Sequence, residues 1–85
     1  MEKPVDVGSL EDEADLRELL TKALVREGLN VSAFESGVEL LEKYNKLDPS
    51  MMIVDRRMPA MDGLDVIRAI RKDNSKVRIM ILSAL

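Results

Sequence analysis

The feature that most constrains this chain is an alternation of two hydrophobic periods along its length. Short apolar runs are separated by stretches whose apolar residues recur every three or four positions. Leu16, Leu19, Leu20, Ala23 and Leu24 mark the face of an amphipathic helix. Asp12 stands where it can cap that helix, and Gly28 where it can end it. Val31 to Phe34 reads as a short strand. Ser36 and Glu39 have capping-box spacing at the start of a second helix carrying Val38, Leu41 and Tyr44, and Asp48-Pro49 closes it with a turn. Met51 to Val54 is continuously apolar, as in a strand covered on both faces. Leu64, Ile67 and Ile70, with Val66 beside them, predict a third helix. Polar residues from Asp73 to Lys76 break it before the run from Val77 to Leu82. Val5 to Leu10 is a strand by context alone, because Asp6, Gly8 and Ser9 all weaken it.

The order β-α-β-α-β-α-β predicts an α/β fold, a flavodoxin-like doubly wound parallel sheet joined by right-handed crossovers. With 85 residues the chain suffices for one domain over 1–85. It has no cysteine and no histidine, which excludes disulfides, thiolate and imidazole chemistry, and the usual zinc ligands. Any metal must sit on oxygen. A net charge of −3 with mixed signs offers no footprint for nucleic acid, so no direct binding is expected. The amino terminus does not read as a signal peptide and no stretch suits a bilayer span, so a cytoplasmic protein with no membrane partner is expected.

Ligands of open parallel sheets bind beyond the carboxyl ends of the strands, where strand order reverses. At that edge the predicted topology gathers Glu11 and Asp12 after the first strand, Asp55 after the third and Ser83 after the fourth. Three neighbouring carboxylates repel one another unless a cation neutralises them. Mg²⁺ accepts a few carboxylates, keeps waters and completes its shell with phosphate oxygens. A carboxylate beside it can attack a phosphoryl group and form an aspartyl phosphate, with Ser83 donating to a phosphoryl oxygen.

These residues carry a family resemblance. Glu11-Asp12-Glu13 followed by Asp15-Leu16-Arg17-Glu18-Leu19-Leu20 resembles the acidic-pair segment of two-component response-regulator receiver domains. Met52 to Gly63, with Asp55, Met58-Pro59 and Asp62-Gly63, is similar to their phosphoacceptor strand and following loop. Ile81-Leu82-Ser83-Ala84 resembles their switch strand. The resemblance implies a phosphorylation switch rather than an enzyme. In it Asp55 is the phosphoacceptor, and Glu11, Asp12, Asp55 and the backbone carbonyl of Arg57 hold Mg²⁺. Ser83 senses the phosphoryl group, Ala84 leaves room for it, and a sensor histidine kinase or phosphotransfer protein is the donor. The family's last strand, with its lysine, and last helix have no counterpart here, so a receiver lacking its C-terminal portion is expected.

Two other classes compete. An interaction module would associate through the apolar edge at 77–82, and self-association through residues 77–85 is expected. A phosphatase with an aspartate nucleophile commonly places a second acid two residues on, where this chain has Arg57. No glycine-rich phosphate loop of the GxxxxGK type occurs either.

Overall fold

The computed structural model describes residues 5–58, 61–73 and 76–82. Strands β1 (Val7–Leu10), β2 (Val31–Phe34), β3 (Met51–Asp55) and β4 (Arg78–Leu82) alternate with helices α1 (Ala14–Arg26), α2 (Gly37–Leu47) and α3 (Gly63–Asp73). The sheet is wholly parallel, in the order β2-β1-β3-β4. The expected α/β doubly wound architecture is therefore present. Right-handed crossovers leaving β1 in one direction and returning past it in the other put α1 on one face, with α2 and α3 together on the opposite face. Strand order reverses between β1 and β3, which makes the carboxyl ends of these two strands the natural site.

The weakest strand in the sequence is central in the sheet, and all of its residues are buried. Packing accounts for this. A Cβ on Gly8 would sit 2.7 Å from Met52 Sδ, so the missing side chain leaves room for that of β3. Leu10, Met52 and Val54 join Phe34, Leu40, Tyr44, Val66, Ile70 and Val77 in the main core under α2 and α3. Strand alternation turns Ser9, Glu11 and Asp55 toward the α1 side.

Several local expectations need correction. The cap of α1 is Glu13, not Asp12, and no side-chain cap bond is made. In α2 the buried face is Gly37, Leu40 and Tyr44, while Val38 is 58% exposed. In α3 it is Gly63, Val66 and Ile70, with Leu64 and Ile67 at its margin. Both helices have rotated the buried stripe by about one position, because each is wedged between the sheet and its neighbouring helix. The Ser36 cap is present, its Oγ accepting from the Glu39 amide at 3.2 Å. Gly28 ends α1 in the left-handed region, at φ +87°. No helix among the described residues is long and apolar enough to cross a membrane.

Candidate functional site

Glu11 extends the β1–β2 ladder by one residue, its amide donating to the Phe34 carbonyl at 3.1 Å. Leu10 is level with Val54 across the sheet, so the next residue on each strand brings Glu11 beside Asp55. Asp12 follows in the turn into α1. Carboxylate oxygens of Glu11, Asp12 and Asp55 all lie within 4.8 Å of one another. They line an open cleft of about 440 Å³ together with Glu13, Leu16, Arg57 and Leu82.

The three acids differ in environment. Asp12 is exposed and Asp55 half-buried, whereas Glu11 is only 3% exposed. Glu11 Oε1 accepts weakly from the Glu13 amide at 3.4 Å, and its buried Oε2 has no hydrogen-bond partner. Burial is the main cause that pushes the Glu11 carboxyl up to about 7, followed by Asp55 as hydrogen-bond partner and as like charge. Two ionised carboxylates have no proton to share, so Glu11 Oε2 is satisfied only by a proton or a cation. An orphaned buried carboxylate oxygen within an all-oxygen donor set fits a hard cation such as Mg²⁺.

The loop after β3 is held at several points. Asp55 Oδ1 accepts from the Arg57 amide at 3.2 Å, and the Arg56 amide donates to the Leu82 carbonyl at 3.0 Å. The Gly63 amide donates to the Arg56 carbonyl at 2.8 Å, and Asp62 Oδ1 caps the start of α3 by accepting from the Leu64 amide at 2.8 Å. The structure thus brings together Glu11, Asp12, Asp55 and the Arg57 backbone. Ser83 lies outside the described residues, as do Pro59 and Ala84.

Gly63 belongs to the loop segment that carries the resemblance, but its close contact is not legible there, and Arg17 has no role assigned from the sequence. Gly63 packs directly against the backbone of Asp55 and Arg56, where a Cβ would collide with the Asp55 carbonyl. Arg17 reaches back over the start of α1, Nη1 donating to the carbonyls of Glu11 at 3.0 Å and Asp12 at 3.2 Å. A cation in the first turns of a helix stands against the macrodipole, and that misplacement was the available signal.

The family model of the response regulator receiver domain matches residues 7–85. The DNA-binding transcriptional regulator NtrC of Escherichia coli K12 is 33% identical over 75 residues, covering 88% of this chain and 16% of that protein. The chain therefore spans about a sixth of that relative's length. The response regulator TrrA of Thermotoga maritima, crystallised with Mg²⁺ and BeF, superposes with a TM-score of 0.89 at 33% identity, covering 95% of this chain and 70% of that one. TrrA in complex with the histidine kinase ThkA gives 0.86 at 34% identity, covering 94% and 69%. Matched over nearly all its length, by sequence and by fold, the chain belongs to the response regulator receiver domain family of two-component signal transduction.

Proposed function

We propose that residues 1–85 act as a cytoplasmic phosphoacceptor switch in which Asp55 receives a phosphoryl group from a histidine kinase or phosphotransfer protein. The observation that carries this reading is the convergence of Glu11, Asp12 and Asp55 within 4.8 Å at the strand-order reversal, with one buried oxygen unsatisfied. Glu11, Asp12, Asp55 and the Arg57 carbonyl would hold Mg²⁺, which when bound supplies positive charge opposite the phosphoryl oxygens. A carboxylate oxygen of Asp55 attacks phosphorus, the bond from phosphorus to the donor's imidazole nitrogen breaks, and that nitrogen keeps the electron pair and takes a proton. Ser83 would donate to a phosphoryl oxygen. The added charge then biases the neighbouring loops toward a partner-binding state. The kinase complex and the Mg²⁺–BeF complex of TrrA support the choice of partner and ion.

The test is incubation with a small acyl or phosphoramidate donor and Mg²⁺. The expected product carries one hydroxylamine-labile phosphate, mapped to Asp55 by mass spectrometry. An acid-stable phosphate, or labelling elsewhere, would contradict the reading.

A second reading is favoured by one observation. On the edge strand β4, Met80 and Ile81 are 49% and 45% exposed, and α1 on the far side buries none of its residues fully. An open apolar edge is a template for strand pairing, and a few hundred Å² at about 25 cal/mol per Å² amounts to several kcal/mol. We therefore expect self-association of the 85-residue chain through residues 77–85. Light scattering at high micromolar concentration should give a dimer or larger species, and Met80→Lys should return it to monomer. A monomeric mass for the unmodified chain would rule the association out.

A further inference from the structure

Arg17 lays its side chain on the backbone of the acidic pair. Its guanidinium donates to the carbonyls of both Glu11 and Asp12, and Nη2 stands 3.9 Å from Glu35 Oε2 in the turn between β2 and α2. The side chain is held rather than waving in solvent, with 22% exposure against 68% for Glu35. Its own position is electrostatically poor, on the first turns of α1 where the helix dipole disfavours a cation. What offsets that cost is the pair of hydrogen bonds made by Nη1. That nitrogen bridges the carbonyl oxygens of two consecutive residues, Glu11 and Asp12. Fixing those two peptides fixes the direction in which the Glu11 and Asp12 side chains leave the backbone. Both carboxylates must converge with Asp55 for one ion to meet all three.

We propose that Arg17 is a positioning residue for the ion site, its Nη1 bridging the carbonyls of Glu11 and Asp12 and locking that turn so that its two carboxylates face Asp55. The inference rests on the reading of Glu11, Asp12 and Asp55 as the Mg²⁺ ligands. It separates from a simple charge effect by sign. A cation near a Mg²⁺ site repels the ion, so on charge alone removing Arg17 tightens binding. A lost positioning contact loosens it instead. Outer contacts that orient metal ligands are commonly worth about 10- to 100-fold in affinity.

The experiment is Mg²⁺ titration of the unmodified chain and of Arg17→Ala, Arg17→Lys and Lys22→Ala, by calorimetry and by the amide resonances of residues 11–13 and 55. Lys22 lies on the same helix and pairs with Glu18 in solvent, so it reports the loss of a helix charge alone. Arg17→Ala should weaken Mg²⁺ about tenfold or more. Arg17→Lys keeps the charge on a side chain one bond shorter, which reaches the two carbonyls less well, and should fall between Arg17→Ala and the unmodified chain. Lys22→Ala should leave affinity unchanged or slightly raised. In the metal-free protein, the amides of residues 11–13 should broaden or shift in Arg17→Ala while those of α3 stay in place. Unchanged or tighter Mg²⁺ binding by Arg17→Ala would overturn the proposal, as would full affinity in Arg17→Lys. Failure of the unmodified chain to bind Mg²⁺ at residues 11, 12 and 55 would instead remove the ligand assignment, and this proposal with it.

Discussion

Asp55→Asn is expected to stabilise the metal-free protein at pH 8 while lowering its Mg²⁺ affinity about tenfold or more and abolishing phosphoryl labelling. The amide keeps the shape of the side chain but removes a negative charge from a site that holds three carboxylates. Without it, Glu11 loses a like-charged neighbour, although its burial remains. The pH dependence of the unmodified chain follows from the same group. In the unfolded chain Glu11 ionises near 4.5, whereas in the folded, metal-free protein it holds its proton to about 7. The folded state binds more protons in that interval, so the stability supplied by neutral Glu11 is fully present below 4.5, declines as pH rises, and is lost above about 7. The difference is on the order of 2–3 kcal/mol. Mg²⁺ bound at the proposed site should reverse the trend by favouring the ionised form, and its apparent affinity should fall by about tenfold per unit below pH 7 as a proton competes. Urea unfolding at pH 5 and pH 8, with EDTA or Mg²⁺, tests the set. Equal stability at both pH values in EDTA would show that Glu11 is not buried as described, and undiminished Mg²⁺ binding by Asp55→Asn would remove Asp55 from the site.

Gly63→Ala is expected to be the most damaging single-methyl change in the chain, costing about 3 kcal/mol or more and weakening Mg²⁺ binding as well. The new Cβ would meet the Asp55 carbonyl oxygen, and would lie 2.8 Å from Arg56 Cα and 3.0 Å from the Asp55 carbonyl carbon. Those are backbone atoms and cannot swing aside as a side-chain tip can. Either α3 lifts off β3, or the end of β3 moves and carries the Asp55 side chain with it. Gly28→Ala provides the comparison. Nothing lies within 4 Å of its hypothetical Cβ, but its φ of +87° is unfavourable for alanine, so the cost should be about 1–2 kcal/mol with no change in Mg²⁺ affinity. A Gly63→Ala protein with the urea midpoint and Mg²⁺ affinity of the unmodified chain would refute the close packing of α3 on β3.

Local chemistry made much of this protein legible. The Ser36 cap, the Gly28 stop and the apolar run from Met51 to Val54 each depend on residues adjacent in the chain, and each appears where the pattern predicts it. The placement of Glu11, Asp12 and Asp55 at one edge also followed, because β-α alternation and crossover handedness leave few topologies. Other features arise from residues far apart in sequence. β1 is central despite Gly8 and Ser9, since its stability comes from β2, β3 and Met52 rather than from its own propensity. Leu40 is buried and Val38 exposed because α3 and the sheet together choose the inward stripe of α2, whose own periodicity allows a rotation of one residue. Nothing local distinguishes Glu11 from Asp12, yet one is buried at the floor of the cleft with an unpaired oxygen and the other faces solvent. Sequence alone determined which residue types reach the site. Tertiary packing decided which carboxylate is desolvated, which arginine grips the turn beneath it and which glycine lets α3 close on β3, because burial and close contact depend on the elements that meet there.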